Sequence, residues 1–167
     1  MVFLGSAPAL GDNAFFGVDP AFTIYYLSGA SGFFSPIWEG AAAVEINEMQ
    51  YPAASWLLTH GHPYDTGLGG DLNGDGVTLR LAYALNLDPN SNNRRSLPAP
   101  IIDSGTLGLN FFAASAGITY SVEKSTDLLN WVTEGVSLSD LDPDGRLTAT
   151  VDRSLSSQCY LRLIVGN

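Results

Sequence analysis

The sequence predicts a mainly β protein with one small α-helical unit, and three patterns lead to this prediction. Short apolar runs broken by Gly and Pro fill residues 1–47, as expected for strands between turns. Apolar runs with helix start and stop signals occupy residues 48–89. Further short runs of β character recur through residues 97–167, which predicts a C-terminal β-sandwich of the immunoglobulin-like or fibronectin-like kind.

Two strands are predicted in the N-terminal segment. The first, Phe22–Leu27, combines aromatic and β-branched residues, and the second, Ala42–Ile46, is a short apolar run. The residues between them mark turns: Gly29, Gly32, Pro36 and Gly40. The segment is therefore expected to be β-rich, with tight connections.

Two helices are predicted in the middle segment, on either side of a Gly-rich loop. Pro52 suits the first turn of a helix that ends at Gly61 or Pro63. A second helix is expected over Val77–Leu87, and because this run is apolar on most sides, we expect it to be buried. Its only polar residues are Thr78, Arg80 and Asn86.

The C-terminal segment contains five runs of β character separated by turn residues. In one of them, Ile118, Tyr120 and Val122 alternate with polar residues, which places the three on one face of a strand. Trp131 is the expected anchor of the core. The five runs are Leu107–Ala113, Ile118–Lys124, Trp131–Glu134, Leu147–Arg153 and Cys159–Val165.

Charge and hydropathy argue against two classes of partner. With 17 Asp and Glu against 7 Lys and Arg, the net charge is −10 at pH 7, whereas nucleic-acid binding requires clustered basic residues. The one basic doublet, Arg94-Arg95, falls in a polar linker that is expected to be solvated. No apolar run approaches the roughly 18 residues of a membrane-spanning helix, and Met1–Pro8 lacks the basic leader of a signal peptide. We predict no nucleic-acid partner and no transmembrane segment.

The segment Asp71–Gly76 predicts a calcium loop of the EF-hand or dockerin kind. Asp71, Asn73 and Asp75 carry side-chain oxygens at the first, third and fifth positions, and Gly76 permits the sharp turn that follows. The seventh position of such loops supplies a backbone carbonyl, here that of Val77. The predicted ligands of a structural Ca²⁺ are Asp71, Asn73, Asp75 and Val77.

The second half of this loop departs from the calcium-binding pattern. Leu79 stands at the ninth position and Ala82 at the twelfth, where calcium loops normally place an oxygen ligand and a bidentate acid. Asp65, Asp88, a backbone carbonyl or water are candidate replacements. The alternative is a Gly/Asp turn without an ion, because carboxylates near the start of a helix are favoured by the helix dipole.

No set of catalytic residues is recognisable, so no enzymatic role is predicted. Cys159 is the single cysteine and is expected to be a buried core thiol. His60 and His62 have no recognisable third metal ligand, and helix-end or surface positions are favoured for both. Asp142-Pro-Asp-Gly145 has the composition of a turn. A hydrolase that uses two acidic residues stays a less favoured alternative.

The N-terminal segment resembles the last turn of a leucine-rich-repeat array of the BspA-like type. The resemblance is carried by Leu4–Phe15, Gly17 and Thr23–Phe33, which contain the elements Asn-Ala-Phe and Tyr-Tyr-Leu-x-Gly. It implies the end of a solenoid, of which a single repeat is expected here. Because about three repeats are needed for a stable core, the segment is expected to be a remnant or to pair its strands with another molecule.

The middle and C-terminal segments resemble C-terminal regions of large secreted proteins from Verrucomicrobia and related bacteria. The resemblance rests on Asp71–Pro89 and Ile118–Trp131, in the order acidic loop, Tyr-Ala-Leu helix, linker and Ser-Thr-Asp-Leu element. It implies an extracellular or cell-surface location and a non-enzymatic terminal module.

These features together predict a secreted structural or adhesive protein. Its N-terminal strands are expected to add to the sheet of another subunit, and a head-to-tail contact that does not close gives a filament. The favoured partner is therefore a second copy of the chain, in a homo-oligomer or filament with a structural Ca²⁺. The alternative is a polysaccharide- or surface-binding module at the end of a larger secreted protein.

Overall fold

The computed structural model describes residues 1–47, 49–154 and 158–166. Glu48 and Asn167, where the predicted helical unit begins and the predicted sandwich ends, lie outside the described residues. Strand accounts for 30% of the chain and helix for 9%, so the predicted mainly β fold with a small α-helical part is confirmed. The chain divides into two compact units, Met1–Thr66 and Gly67–Asn167.

The first unit is built on a four-stranded sheet. Its strands are β1 (Val2–Phe3), β2 (Thr23–Leu27), β3 (Ile37–Trp38) and β4 (Ala41–Ile46), in the order β1-β2-β4-β3. β1, β2 and β4 run parallel, whereas β3 forms an antiparallel hairpin with β4. The predictions for β2 and β4 were correct to within one residue, and the two-residue strands β1 and β3 were not predicted.

The parallel strands repeat like the coils of a solenoid. Val2 lies opposite Tyr25 and Thr23 lies opposite Ala42, so the chain returns to the sheet after about 20 residues each time. Two successive connections thus stack three parallel strands, and the expected resemblance to a terminal leucine-rich repeat stays a prediction.

This stacking gives the first unit a core of its own. The rings of Tyr26 and Phe33 stack with centroids 4.7 Å apart, Trp38 lies 4.6 Å from Phe33, and the ring of Phe3 covers both Phe33 and Trp38. Aromatic pairs at such distances add to the free energy gained by apolar burial. The buried cluster consists of Ile24, Tyr26, Phe33, Trp38, Ala41 and Ala43.

Helix α1 spans Pro52–Thr59 and belongs to the first unit. Pro52 lies in its first turn as predicted, Leu57 and Leu58 are buried, and the helix ends just before Gly61. Beyond it, the ring of Tyr64 packs 4.4 Å from that of Tyr25 in β2, which ties the segment after the helix to the sheet. The middle segment 48–89 is thus divided between the two units.

Helix α2 spans only Leu79–Ala84, in the second unit, rather than the predicted Val77–Leu87. Thr78 caps it, because its hydroxyl accepts a hydrogen bond from the Leu81 amide at 3.3 Å. The helix ends before Asn86, which has a φ of 53°. As predicted, the helix is largely buried, through Leu79, Ala82, Tyr83 and Ala84.

Two antiparallel sheets form the rest of the second unit. The four-stranded sheet has the order β5-β6-β9-β8, and the two-stranded sheet pairs β10 with β7. The strands are β5 (Pro100–Ile102), β6 (Thr106–Phe112), β7 (Thr119–Ser125), β8 (Ser137–Leu138), β9 (Arg146–Asp152) and β10 (Tyr160–Gly166). Four of the five predicted runs are strands, whereas Trp131–Glu134 contains only an isolated bridge from Val132 to Lys124.

Phe111, and not Trp131, anchors the core of the second unit. Phe111 is 1% exposed and clusters with Leu85, which directly follows α2, and with Leu109, Val122 and Ala149 of the two sheets. Trp131 is only half-buried, and the guanidinium of Arg162 covers one face of its ring, 4.3 Å from the ring centroid. In the parts of the chain that the structure describes, no helix has the length and apolar character needed to cross a bilayer.

Candidate functional site

The acidic loop leads directly into helix α2. Its ends are held together by two backbone hydrogen bonds, from Leu79 to the carbonyl of Gly70 and from Arg80 to that of Leu68, both 2.8 Å long. The loop is therefore a closed structure anchored to a buried helix, as the apolar run after it predicted.

Asp71 organises the turn through its carboxylate. Its oxygens accept hydrogen bonds from the amides of Gly74 at 2.9 Å, Asp75 at 3.2 Å and Gly76 at 2.7 Å. Gly76 has a φ of 84°, a left-handed conformation that glycine adopts without the steric cost of a side chain. The sharp turn predicted at this glycine is present.

Asp75 turns away from solvent and is 3% exposed. One carboxylate oxygen accepts a hydrogen bond from the amide of Val77 at 2.7 Å, and the other accepts one from Asn93 at 2.6 Å. The hydrogen bond from the Asn93 amide holds the pKa of Asp75 below its ordinary value; desolvation opposes this shift, and hydrogen bonds from Val77 and Asn73 add to it.

Asn73 fastens the loop to the segment that follows α2. Its side-chain oxygen accepts from the Asp75 amide at 3.0 Å, and its side-chain nitrogen donates to the carbonyls of Pro89 and Ser91 at 3.0 and 2.8 Å. Arg94 donates from Nε to the carbonyl of Asp75. Residues 88–94 are therefore a second wall of the site, although their composition predicted a solvated linker.

The loop brings together the three predicted side-chain ligands. Asp71, Asn73 and Asp75 come together in one loop as predicted, and Ca²⁺ requires about six to eight oxygens. Leu79 and Ala82 are each 2% exposed and add no side-chain oxygen, so backbone carbonyls and water are left to complete the shell. Among the described residues, no group of three or more His, Cys, Asp or Glu is placed to hold a metal ion.

Of the suggested replacement ligands, Asp88 is already engaged. The carboxylate of Asp88 accepts hydrogen bonds from the amide of Asn90 at 2.9 Å and the hydroxyl of Ser91 at 2.8 Å. Asp65 belongs to the first compact unit, whereas the loop belongs to the second. The loop's own hydrogen bonds fit both an ion-binding turn and the bare turn that was the alternative.

A polar cavity of about 370 Å³ lies in the first unit. Asn13, Asp19 and Glu39 contribute polar groups to it, and Phe16, which is 87% exposed, stands at its side. Asn13 and Glu39 both have left-handed backbone angles, with φ values of 57° and 49°.

The other candidate residues have structural roles. The carboxylate of Asp142 accepts hydrogen bonds from the amides of Asp144 at 3.0 Å and Arg146 at 2.7 Å, which confirms the predicted turn. His60 Nδ1 lies 2.8 Å from the carbonyl of Trp56, at the end of α1 as favoured. Cys159 is half-buried rather than fully buried.

No protein-family model, no curated protein and no solved structure matches this chain.

Proposed function

We propose that this chain is a non-enzymatic structural or adhesive protein of the cell surface or extracellular space, which assembles by adding strands at the free edge of β1. The observation that carries the proposal is the parallel sheet of the first unit, whose edge strand offers unpaired backbone groups. The resemblance to secreted proteins of Verrucomicrobia and related bacteria supports the extracellular location.

The register of β1 shows which groups are free. The carbonyl of Met1 accepts a hydrogen bond from the amide of Tyr25 at 2.8 Å, and the Met1 amino group donates to Thr23 at 3.0 Å. Because successive residues of a strand direct their backbone groups to opposite sides, the N–H and C=O of Val2 point away from β2. In the described chain, no strand pairs with that side of β1.

A parallel strand from a second copy would continue the stack of coils. At the opposite end of the sheet, β3 covers β4 over only two residues, Ile37 and Trp38. A head-to-tail contact between different surfaces of two copies produces a filament when its repetition does not close into a ring. All 7 Lys and Arg residues follow Gly67, so copies of the acidic first unit repel one another, and salt is expected to promote assembly.

Replacing Val2 with Pro tests the proposal at a single hydrogen-bond donor, the backbone N–H of Val2. Proline removes the outward N–H, which β2 does not use, and is tolerated at sheet edges. We expect the protein concentration needed for assembly to rise at least about tenfold, the effect of roughly 1.4 kcal/mol per contact. Light scattering and electron microscopy at increasing salt measure it, and Val2→Thr, which keeps the N–H, should assemble like the wild type.

A wild-type protein that stays monomeric at all salt and protein concentrations contradicts the assembly proposal.

The second candidate function is polysaccharide binding, which the cavity beside Phe16 favours because aromatic faces and amide or carboxylate groups together suit sugars. A monomer that is retained on insoluble cellulose or chitin, and that loses retention when Phe16 is replaced by Ala, would favour this candidate instead.

For the second unit we propose a β-sandwich of the immunoglobulin-like or fibronectin-like kind. The proposal is supported by the two antiparallel sheets, which contribute Phe111 and Val122 to one buried cluster. The acidic loop and α2 would close one end of it, since Tyr120 of β7 donates its hydroxyl to the carbonyl of Ala84 at 2.7 Å.

We further propose that the acidic loop binds Ca²⁺ weakly and for structural purposes, with Asp71, Asn73, Asp75 and the Val77 carbonyl as ligands. With a Kd near about 1 mM, as in extracellular modules, about 10 mM calcium stabilises the second unit by about 1.4 kcal/mol. Thermal melts with EDTA and with added calcium measure this shift.

Matched variants identify the binding site. Asp71→Asn should abolish the response to calcium, while Asp144→Asn, in an exposed turn of the same unit, should keep it. An equal response to magnesium, or no calcium response in the wild type, leaves the bare turn as the explanation of the loop.

A further inference from the structure

The second unit contains an apolar cleft that the proposed assembly does not use. It measures about 550 Å³, within the range of about 300–1,000 Å³ typical of ligand sites. Leu, Ile and Pro side chains form most of its wall, from β5, β6 and β10, and Leu81 of α2 and Leu85 just after it add to the wall. Exposing such an apolar surface to water is unfavourable, and large exposed apolar patches mark interaction sites.

The cleft lies where the smaller sheet stops. In the described chain the larger sheet has four strands and the smaller one has β10 and β7, and Leu107 and Leu109 of β6 line the cleft on the side of the larger sheet. Leu161 and Leu163 of β10 point into the same space, and both also pack against the buried core. Among the described residues, no strand pairs with the outer edge of β10.

The free edge of β10 has a defined hydrogen-bonding register. Lys124 of β7 exchanges both backbone bonds with Val132, at 2.8 and 3.0 Å, so its backbone groups point away from β10. Its partner in β10 is Leu161, which therefore forms a non-hydrogen-bonded pair. By alternation, Leu161 and Leu163 direct their N–H and C=O groups outward, and no backbone partner for them occurs in the described chain.

The other strand that borders the cleft is protected against strand addition. Pro100 of β5 pairs with Leu109, and the proline carries no N–H. Proline on an edge strand is a common device that blocks pairing with another chain. An incoming strand would therefore pair with β10 and not with β5.

A strained loop stands at one side of the cleft. Leu128, which lines it, has a φ of 63°, an unfavourable angle for a bulky side chain. The loop is held by the Ser125 hydroxyl, which accepts from the Leu128 amide at 2.8 Å, and by Asp127, which accepts from Leu129 and Asn130 at 2.9 and 2.8 Å. Strain of this kind is often found where a ligand is clamped.

We propose that this cleft binds an extended peptide segment of another protein, with apolar residues at alternate positions, as an added strand along β10. Every second side chain of such a peptide would enter the cleft, while its backbone would pair with Leu161 and Leu163. An acyl chain could fill the apolar space but would offer nothing to those N–H and C=O groups, and unpaired backbone groups in a partly buried position are costly.

A synthetic peptide of alternating Val and Thr, flanked by Lys, is the probe. We expect hydrogen exchange at the Leu161 and Leu163 amides to slow at least about tenfold on binding. The Arg162 amide, which faces β7, should exchange slowly with or without peptide and serves as the internal reference. A peptide of the same composition with its Val residues clustered, and one N-methylated at alternate residues, should give no protection.

Two variants of β5 provide a matched pair. Ile102, which lines the cleft and is 67% exposed, and Ile101, which is 49% exposed and does not line it, are neighbours on opposite faces. Ile102→Lys should weaken peptide binding about tenfold or more, because a charge would have to be buried. Ile101→Lys should leave binding unchanged.

Several results would overturn the proposal. Equal binding of the clustered or N-methylated peptide would show adhesion without strand pairing. Binding of a C16 fatty acid that protects neither Leu161 nor Leu163 would identify a lipid site. Protection of these amides by protein self-association alone, without peptide, would make the occupant a second copy. The Val2→Pro variant changes β1 and leaves the cleft intact. Loss of peptide binding can therefore be distinguished from loss of assembly.

Discussion

Replacing Phe111 with Ala is expected to destabilise the second unit by about 3–5 kcal/mol, the usual cost of removing a buried ring and leaving a cavity. Phe111 is 1% exposed and lies between the two sheets, with the ring of Tyr120 6.2 Å away. A loss of this size is a large fraction of the stability of a small domain. Urea unfolding, with hydrogen exchange read in β6 and β9, measures it.

Phe16→Ala is the matched control for this prediction. The same ring is removed there from a site that is 87% exposed, so the change should stay within about 0.5 kcal/mol. If both variants lose the same stability, or if Phe111→Ala loses less than about 1 kcal/mol, then Phe111 is not the anchor of this core.

Replacing Asp75 with Asn is expected to lower the melting temperature of the second unit by roughly 5 °C or more. Both carboxylate oxygens accept backbone N–H groups, from Val77 and Asn93, at a position that is 3% exposed. The Asn side chain has the same shape, but its NH2 group replaces one of the two accepting oxygens. One buried backbone N–H would then face the N–H donor of the side chain. Asp144→Asn, a similar change at an exposed turn, should have little effect.

The stabilising effect of Asp75 should depend on pH in a defined direction. Because its pKa is lowered in the folded protein, the unfolded chain binds the proton more tightly, and stability is lost as pH falls from about 4, the ordinary pKa of Asp, through the lowered value. The difference in melting temperature between wild type and Asp75→Asn should be constant above about pH 5 and narrow below it. A difference that does not change with pH would rule out the ionised carboxylate as the cause.

Local pattern was sufficient for the longer elements. Strands β6, β7, β9 and β10 were predicted to within one residue at each end, because alternation over seven residues is a clear signal. Two- and three-residue strands such as Val2–Phe3 and Pro100–Ile102 carry no periodicity, and their pairing partners alone create them. β1 forms one of the two sheet edges on which the proposed interactions depend, and β5 borders the cleft beside the other edge, that of β10.

The sequence by itself determined the turn of the acidic loop, because Asp71, Gly74 and Gly76 interact within five positions of one another. Only the tertiary structure decided that Asp75 is buried against Asn93, 18 residues further on, in a stretch whose composition resembles a linker. It also placed Phe111 in the core and Trp131 at its margin. The physical reason is the same for each: local hydrogen bonds follow from chain spacing, whereas burial depends on which distant segments arrive beside a residue.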